Sequence, residues 1–288
     1  MKLFNRQAFS ITLTFAIVAF TLIHFTIRDS CFITSLFFYA FPLPVIIFLA
    51  LLVYLLSKER IKRVSGVLML SLFIFWFSRS YQYHSFETGE ETIEVVFWNA
   101  NHHRDFSDAI QENGHIPDVL VLVECHEFMR KNVKDRFPDY FVETFGTEIA
   151  ILSKSPIENI QTISEMNKPD IVNFETKNLR FSIVDMPASL ALARKPMLDF
   201  AFEHTKKADV VMGDFNTPLE SAHFDSFKLK FQHAFTEKGK GFTETWFWNL
   251  PILSLDHFWV SKETSLLSVE KIATFQSDHS MLRMTIEE

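Results

Sequence analysis

Polar residues of a restricted kind recur where apolar runs of the sequence stop. Asn99 and Asn101 follow "VVFW", Glu124 follows "DVLVLV", Asp185 follows "RFSIV", and Asp214 and Asn216 follow "VVMG". Asp256 and His257 follow "LSL", and Asp278 and His279 follow "TFQS". Carboxylates, carboxamides and imidazoles hold hard cations, orient water or move protons. A lone Asp or Asn in such a place is ordinarily a turn residue or a helix cap. Several together, in loops where α/β folds assemble sites, point to one shared site.

The elements that must position them follow from periodicity. "TIEVVFW" is rich in β-branched and aromatic residues and reads as a strand. "DVLVLVE", "EIAILS" and "DVVMGD" are continuous apolar runs, as for strands covered on both faces. "IVNFETKNLRFSIVDM" reads as two strands joined by a turn near Lys177–Asn178. "SLDHFWVS" and "HSMLRMTIE" are further strands, and "RDFSDAIQENG" is a short helix ended by Gly114. Helices are also expected over residues 190–207 and from Pro218 to about Phe227. The mixture of alternating and antiparallel elements predicts an α/β fold, with two packed sheets and flanking helices.

Ahead of this lies different material. The 288-residue chain is 48% hydrophobic with 33 Phe and 7 Gly, and the apolar excess gathers in the first 80 or so residues. Runs at 9–27, 31–56 and 61–78 approach or exceed the roughly 20 residues a transmembrane helix needs, the third if Lys62 and Arg63 snorkel. No convincing cleavage site follows the first run, and "PVIIFLALLVYLL" is apolar all round. The expected organisation is a three-helix transmembrane region over 1–80, a linker over 81–91 and a catalytic-type domain over 92–288. Lys2 and Arg6 precede the first run, and Lys58, Arg60, Lys62 and Arg63 follow the second, against Arg28 beside Asp29 between them. The positive-inside rule then puts the N-terminus in the cytoplasm and the domain on the extracytoplasmic side of the cell membrane.

Eight of the 28 Lys and Arg and two of the 35 Asp and Glu precede Glu87, leaving 20 basic against 33 acidic residues, a net charge of −13. So acidic a domain lacks the basic face that holds long duplex DNA, although a metal would let it admit a phosphate. Cys125 is the domain's single cysteine, which excludes an intradomain disulfide.

In order, "FWNAN", "PDVLVLVE", "EIAILSKSPI", "VMGDFNTP", "SLDHFWVS" and "QSDHS" resemble the motifs of the endonuclease/exonuclease/phosphatase superfamily, over about 93–286. The three apolar runs resemble those of its membrane-anchored bacterial branch. The resemblance implies a four-layer α/β sandwich and hydrolysis of phosphoesters with Mg²⁺ or Mn²⁺. Carried over by residue, it implies that Glu124 is the principal metal ligand, aided by Asn101 and Asp278. Asn99 would orient the site, Asp214 align or deprotonate the attacking water, and Asn216 bond the phosphate or water, provided the chain stays extended past Asp214. His279 would stabilise charge on the phosphate with Asp256 as its partner. These roles agree with what phosphodiester attack requires: an activated water, neutralised phosphate oxygens and a stabilised leaving group.

One position departs from the pattern. Asp185 stands where the family usually has His, or Tyr in some branches, and a carboxylate repels a phosphate unless it is protonated or bound to a cation. Two functions are therefore expected to compete. The first is a membrane-anchored, metal-dependent phosphodiesterase, nuclease or phosphatase, acting on a nucleic acid fragment, a lipid head group or a small phosphodiester. The second is a non-catalytic module that binds a phosphorylated ligand. Of His102 and His103, neighbours that face opposite ways on an extended chain, at most one is expected to reach the site, and loop histidines are more often simply solvated. The aromatics of "TETWFWNLP" could line a substrate cleft, but Trp246 and Trp248 are expected to share one strand face and to be core residues.

Overall fold

A computed structural model describes residues 2–87, 89, 91–126 and 133–288; Thr88 and Glu90 of the expected linker lie outside the described residues. The chain divides into two compact units. One holds the N-terminal helices up to Tyr81; the other begins at Gln82 and holds the remainder apart from Glu220–Ala222.

In the first unit, α1 (Lys2–Leu22) runs into a π-helical turn (Ile23–Ile27), followed by α2 (Phe32–Ala40), α3 (Leu43–Leu56) and α4 (Glu59–Ser80). Two helical stretches, Ala8–Ile27 and Glu59–Ser80, are long and apolar enough to cross a membrane. The run expected as one span over 31–56 is instead the pair α2 and α3, bent by 67°. Pro42 stands at the break, where its ring and missing N–H prevent the α2 ladder from continuing. The helices therefore offer two spans, or three if the bent pair counts as one. Lys62 of α4 places its ammonium 5.1 Å from the Tyr54 ring centre.

In the second unit the strands are β1 (Tyr81–Tyr83), β2 (Thr92–Asn99), β3 (Val119–Val123), β4 (Phe141–Thr144), β5 (Ala150–Ser153), β6 (Glu158–Ile163) and β7 (Asp170–Thr176), then β8 (Leu179–Asp185), β9 (Val210–Asp214), β10 (Phe231–His233), β11 (Gly239–Phe242), β12 (Asp256–Ser261), β13 (Leu266–Ile272) and β14 (Met281–Glu287). The helices are α5 (Phe106–Asn113), α6 (Val133–Arg136), α7 (Arg194–Thr205), α8 (Asp225–Lys230) and α9 (Ala234–Lys238). They build an eight-stranded sheet, β1-β11-β13-β14-β2-β3-β5-β4, and a six-stranded sheet, β10-β12-β9-β8-β7-β6.

Alternation along the strands explains the layers. Val95 and Phe97 of β2 join Val121, Phe174, Phe181, Met212 and Phe258 in the core between the sheets. Their neighbours Val96 and Trp98 turn the other way, onto a second cluster with Phe106 and Ala109 of α5. On the far face of the six-stranded sheet, Val184 and Val211 pack with Met197 and Leu198 of α7 and Phe227 of α8. Helix, sheet, sheet and helix thus form four layers, and the continuous apolar runs are strands buried on both faces.

Local chemistry sets the ends of elements. Asp105 caps α5 by accepting from the N–H groups of Ser107 and Asp108, and Gly114 ends it with φ 86°. Lys177 and Asn178, both at positive φ, form the turn between β7 and β8. Two helix expectations need correction. The helix over 190–207 begins at Arg194, and none starts at Pro218: that stretch is turn, with α8 starting at Asp225.

Candidate active site

Strand register brings the polar residues to one end of the two sheets. In the eight-stranded sheet β2 and β3 are parallel with Asn99 opposite Val123, so Asn99 and Glu124 leave neighbouring strands side by side. In the six-stranded sheet Asp256 pairs with Asp214, Asp214 with Asp185, and Asp185 with Asp170. Four adjacent strands therefore place an aspartate in the same row. Gly213 makes this register possible. A Cβ there would lie 1.9 Å from the carbonyl oxygen of Val184 on the neighbouring strand, so only glycine fits one residue before Asp214.

Hydrogen bonds join the sheets across the site. Asn99 Nδ2 donates to Asp214 Oδ2 at 2.9 Å, and Asn99 Oδ1 accepts from the backbone N–H of Asn101 at 2.9 Å. The Asn99 carbonyl accepts from Ser277 Oγ, which in turn accepts from the His279 N–H. The indole of Trp98 donates to the His279 carbonyl at 3.1 Å. The histidine backbone is thereby fixed from two sides. Its ring Nδ1 bonds Asp256 Oδ2 at 2.8 Å, while Nε2 lies 3.9 Å from Asp214 Oδ2.

Asn99, Asp214, Asp256 and His279 are all buried, and burial makes their charges interdependent. For His279, burial opposes the charged form, but Asp256 and Asp214 outweigh it and raise the pKa to about 10. The Asp214 carboxyl is pushed up, first by burial and then by Asp256 and Glu124, with His279 opposing. Burial also drives Asp185 well above the ordinary carboxylate range, reinforced by Asp214, Glu124, Asp170 and Glu148. This concentration of negative charge, rich in oxygen donors, fits a hard divalent cation. A buried, unbonded oxygen, Asp256 Oδ1, adds a further unmet demand.

Two placements for a cation are available. Asp214, Asp256 and His279 offer ligand atoms within 4.8 Å of one another. In that set, however, His279 Nδ1 and Asp256 Oδ2 already serve each other. Glu124 is partly exposed, and among the described residues its carboxylate meets His102 at 3.1 Å. It is the freer ligand.

Several expectations change. Asn216 does not continue an extended strand: at φ 45° its N–H folds back to Asp214 Oδ1, and its side chain donates to the Met186 carbonyl at 2.7 Å. Asn101 and Glu124 also have positive φ, 48° each, a conformation uncommon outside glycine and concentrated at functional sites. The turn through Asn101 and His102, rather than an extended chain, carries His102 to Glu124, with its Nδ1 2.6 Å from Glu148 Oε2. Of the two adjacent histidines the sequence allowed one to reach the site, and His102 does so while its side chain stays about half exposed. Trp246 and Trp248 do not share a strand face either. They lie in a loop, where Trp246 Nε1 donates to Asp278 Oδ2 at 2.9 Å and Trp248 sits at φ 48°. Asp170 and Glu148 carried no sequence signal, because only strand register and loop packing bring them to the cluster.

The chain matches the Endonuclease/Exonuclease/phosphatase family over residues 96–279. It belongs to that family. Among solved structures, it resembles an AP endonuclease from Archaeoglobus fulgidus, with 13% identity, 68% of this chain and 100% of that one covered, and a TM-score of 0.54. A family protein from Bacteroides thetaiotaomicron is similar at 14% identity, 69% and 98% coverage and a TM-score of 0.53. D. rerio TDP2, complexed with single-strand DNA product, gives 15%, 69%, 100% and 0.51. At these identities the likeness is one of fold. No curated protein matches the chain. As an endonuclease/exonuclease/phosphatase family member, it has a fold whose named neighbours include nucleic-acid enzymes.

Proposed function

We propose that this protein is a membrane-anchored, divalent-metal-dependent phosphoester hydrolase. The observation that carries the reading is the chain of contacts from Asn99 through Asp214 to the His279–Asp256 pair, beside Glu124. Glu124 would hold Mg²⁺ or Mn²⁺ with Asn101, and Asp278, fastened through one oxygen to Trp246, would lie nearby. The ion, when bound, supplies positive charge to the phosphate and polarises water. Asp214, held by Asn99, orients the attacking water and accepts its proton. His279, kept cationic by Asp256 and Asp214, donates to the phosphate oxygens and offsets their charge. Asn216 keeps Asp214 Oδ1 in place through its N–H and so positions the base.

The proposed location is the cell membrane with the domain outside the cytoplasm, and with residues 1–80, 81–91 and 92–288 as anchor, linker and hydrolase. Counting α2 and α3 as one broken span supports it. With the N-terminus and its Lys2 and Arg6 in the cytoplasm, one broken span returns Lys58, Arg60, Lys62 and Arg63 to the cytoplasmic side, as the positive-inside preference asks.

The test is hydrolysis of bis-p-nitrophenyl phosphate by the full chain in detergent, with Mg²⁺ or Mn²⁺ and after chelation. Activity should require the metal. Glu124→Gln, Asp214→Asn and His279→Ala should each lower turnover by roughly 100-fold or more while the melting temperature persists. If all three retained metal-dependent turnover, the assigned site would be wrong. The second reading, a non-catalytic phospholigand module, is favoured by Asp185 alone. Metal-dependent binding of a phosphorylated ligand without any turnover would support it.

A further inference from the structure

The ring of His102 joins two carboxylates that different loops deliver. Its Nδ1 lies 2.6 Å from Glu148 Oε2, and its Nε2 lies 3.1 Å from Glu124 Oε2. An ionised carboxylate only accepts, so the bond to Glu148 puts the proton of the neutral ring on Nδ1. The lone pair of Nε2 is left beside Glu124. Two electron-rich atoms so close need positive charge between them. Ligand atoms at right angles on a small dication, each about 2.1 Å from it, stand about 3 Å apart. Nε2 and Oε2 have that spacing.

Backbone contacts hold the three residues in this relation. The His102 N–H donates to the Glu124 carbonyl at 2.6 Å, and the Cys125 N–H donates to the Glu148 carbonyl at 3.1 Å. Asn101, His102, Glu124 and Glu148 all have positive φ, from 48° to 60°. Their side chains stay open to water, 53% exposed for His102, 24% for Glu124 and 35% for Glu148. An open position of this kind is what an ion at a catalytic site keeps. A proton and a metal dication are the two charges that fit between Nε2 and Oε2, and the surroundings favour the dication. Glu124 and Glu148 both raise the cost of ionising Asp185, and Glu124 does the same at Asp214. One proton offsets one of these charges, whereas a dication offsets two. The Glu148 contact also matches the habit of ligating histidines, whose second ring N–H donates to a carboxylate that fixes tautomer and orientation.

We infer that His102 is a ligand, through Nε2, of the ion held at Glu124, with Glu148 orienting the ring. This rests on the reading above in which Glu124 is the principal metal ligand. An imidazole nitrogen is a softer donor than a carboxylate or water, and it favours first-row transition ions over Mg²⁺. Of the two ions named above, the site therefore prefers Mn²⁺.

The experiment reads binding, apart from turnover, on the full chain in nonionic detergent. Mn²⁺ binding is followed by loss of the free ion's electron paramagnetic resonance signal, and Mg²⁺ binding by displacement of Mn²⁺. His102→Ala should weaken Mn²⁺ binding by about tenfold or more. Mg²⁺ should weaken much less, because it keeps several waters and one more replaces the ring. The preference for Mn²⁺ should therefore fall, and it should fall again in His102→Gln, which offers an oxygen in place of nitrogen. Glu148→Ala, which frees the ring, should lower the same preference. Spin-echo modulation from a directly bound ring nitrogen should appear with Mn²⁺ on the wild type and vanish in His102→Ala. An unchanged preference overturns the inference. So does modulation that persists in His102→Ala; its loss in His279→Ala instead would put the ion at His279. Tighter binding of both ions by His102→Ala also overturns it, since His102 would then be an imidazolium that competes with the metal. If the wild type binds neither ion, the metal-dependent reading fails and the inference falls with it.

Discussion

At Asp185 a strand ending in a carboxylate lies between two others, opposite Asp170 on one side and Asp214 on the other. Each raises the cost of ionising Asp185, and a cation would relieve all three. Asp185→Asn should therefore weaken the metal requirement's support, raising the half-maximal metal concentration for hydrolysis by roughly tenfold. Asp185→His should lower it, because an imidazole there can itself donate to the phosphate oxygens and take over part of what the metal does. Superimposable titrations for the three forms would place Asp185 outside the site. The carboxylate was legible as the one departure from the motif pattern. Its neighbour Asp170 was not, since 15 residues of sequence separate two groups that register sets side by side.

Strand β9 shows how one element's geometry is conditional on another's. Gly213→Ala would drive a Cβ into the Val184 carbonyl, so β8 and β9 must separate. A stability loss of about 2–4 kcal/mol is expected, read as a lowered melting temperature. Strand β12 presents a second consequence. His257 lies buried on the opposite face from Asp256, with Nε2 on the Thr217 carbonyl and Nδ1 3.1 Å from His233 Nε2. Burial lowers the His257 pKa to about 4 and, with His257 beside it, pushes His233 well below its ordinary value. Both rings are neutral in the fold but bind protons when unfolded below about 6.5. The two rings' contribution to stability should be flat above that pH and fall as pH drops from 6.5 toward 4, by at most about 1.4 kcal/mol per pH unit per ring. The raised carboxyls, Asp185 and Asp214, act in the opposite direction. The comparison that isolates the ring is His257→Gln, whose melting temperature should decline less steeply between pH 7 and 5. Equal slopes would refute the neutral pair.

For the whole chain, under the proposed membrane anchoring with a cytoplasmic N-terminus, the side on which the domain lies turns on whether α2 and α3 together cross. Three crossings place residues after Ser80 opposite the N-terminus; two return them to its side. Alkaline phosphatase fused after Glu288 should be active and green fluorescent protein at the same point dark, because the first needs an oxidising compartment to fold. The reverse pair of results would make the bent helices a re-entrant element and the domain cytoplasmic.

Composition and pattern alone determined the division into an apolar helical leader and an acidic α/β domain, because burial on both faces or in lipid demands long apolar runs. They also determined which strand ends carry Asn99, Glu124, Asp185, Asp214, Asp256 and His279, since strands end where the apolar run ends. Only the tertiary structure decided what those residues do to one another. Positive φ at Asn101 brings His102 onto Glu124, and at Asn216 it turns a supposed phosphate contact into a support for Asp214. The row from Asp170 to Asp256 and the placement of Glu148 against His102 likewise depend on register and loop closure. These are long-range pairings, and no local periodicity encodes them.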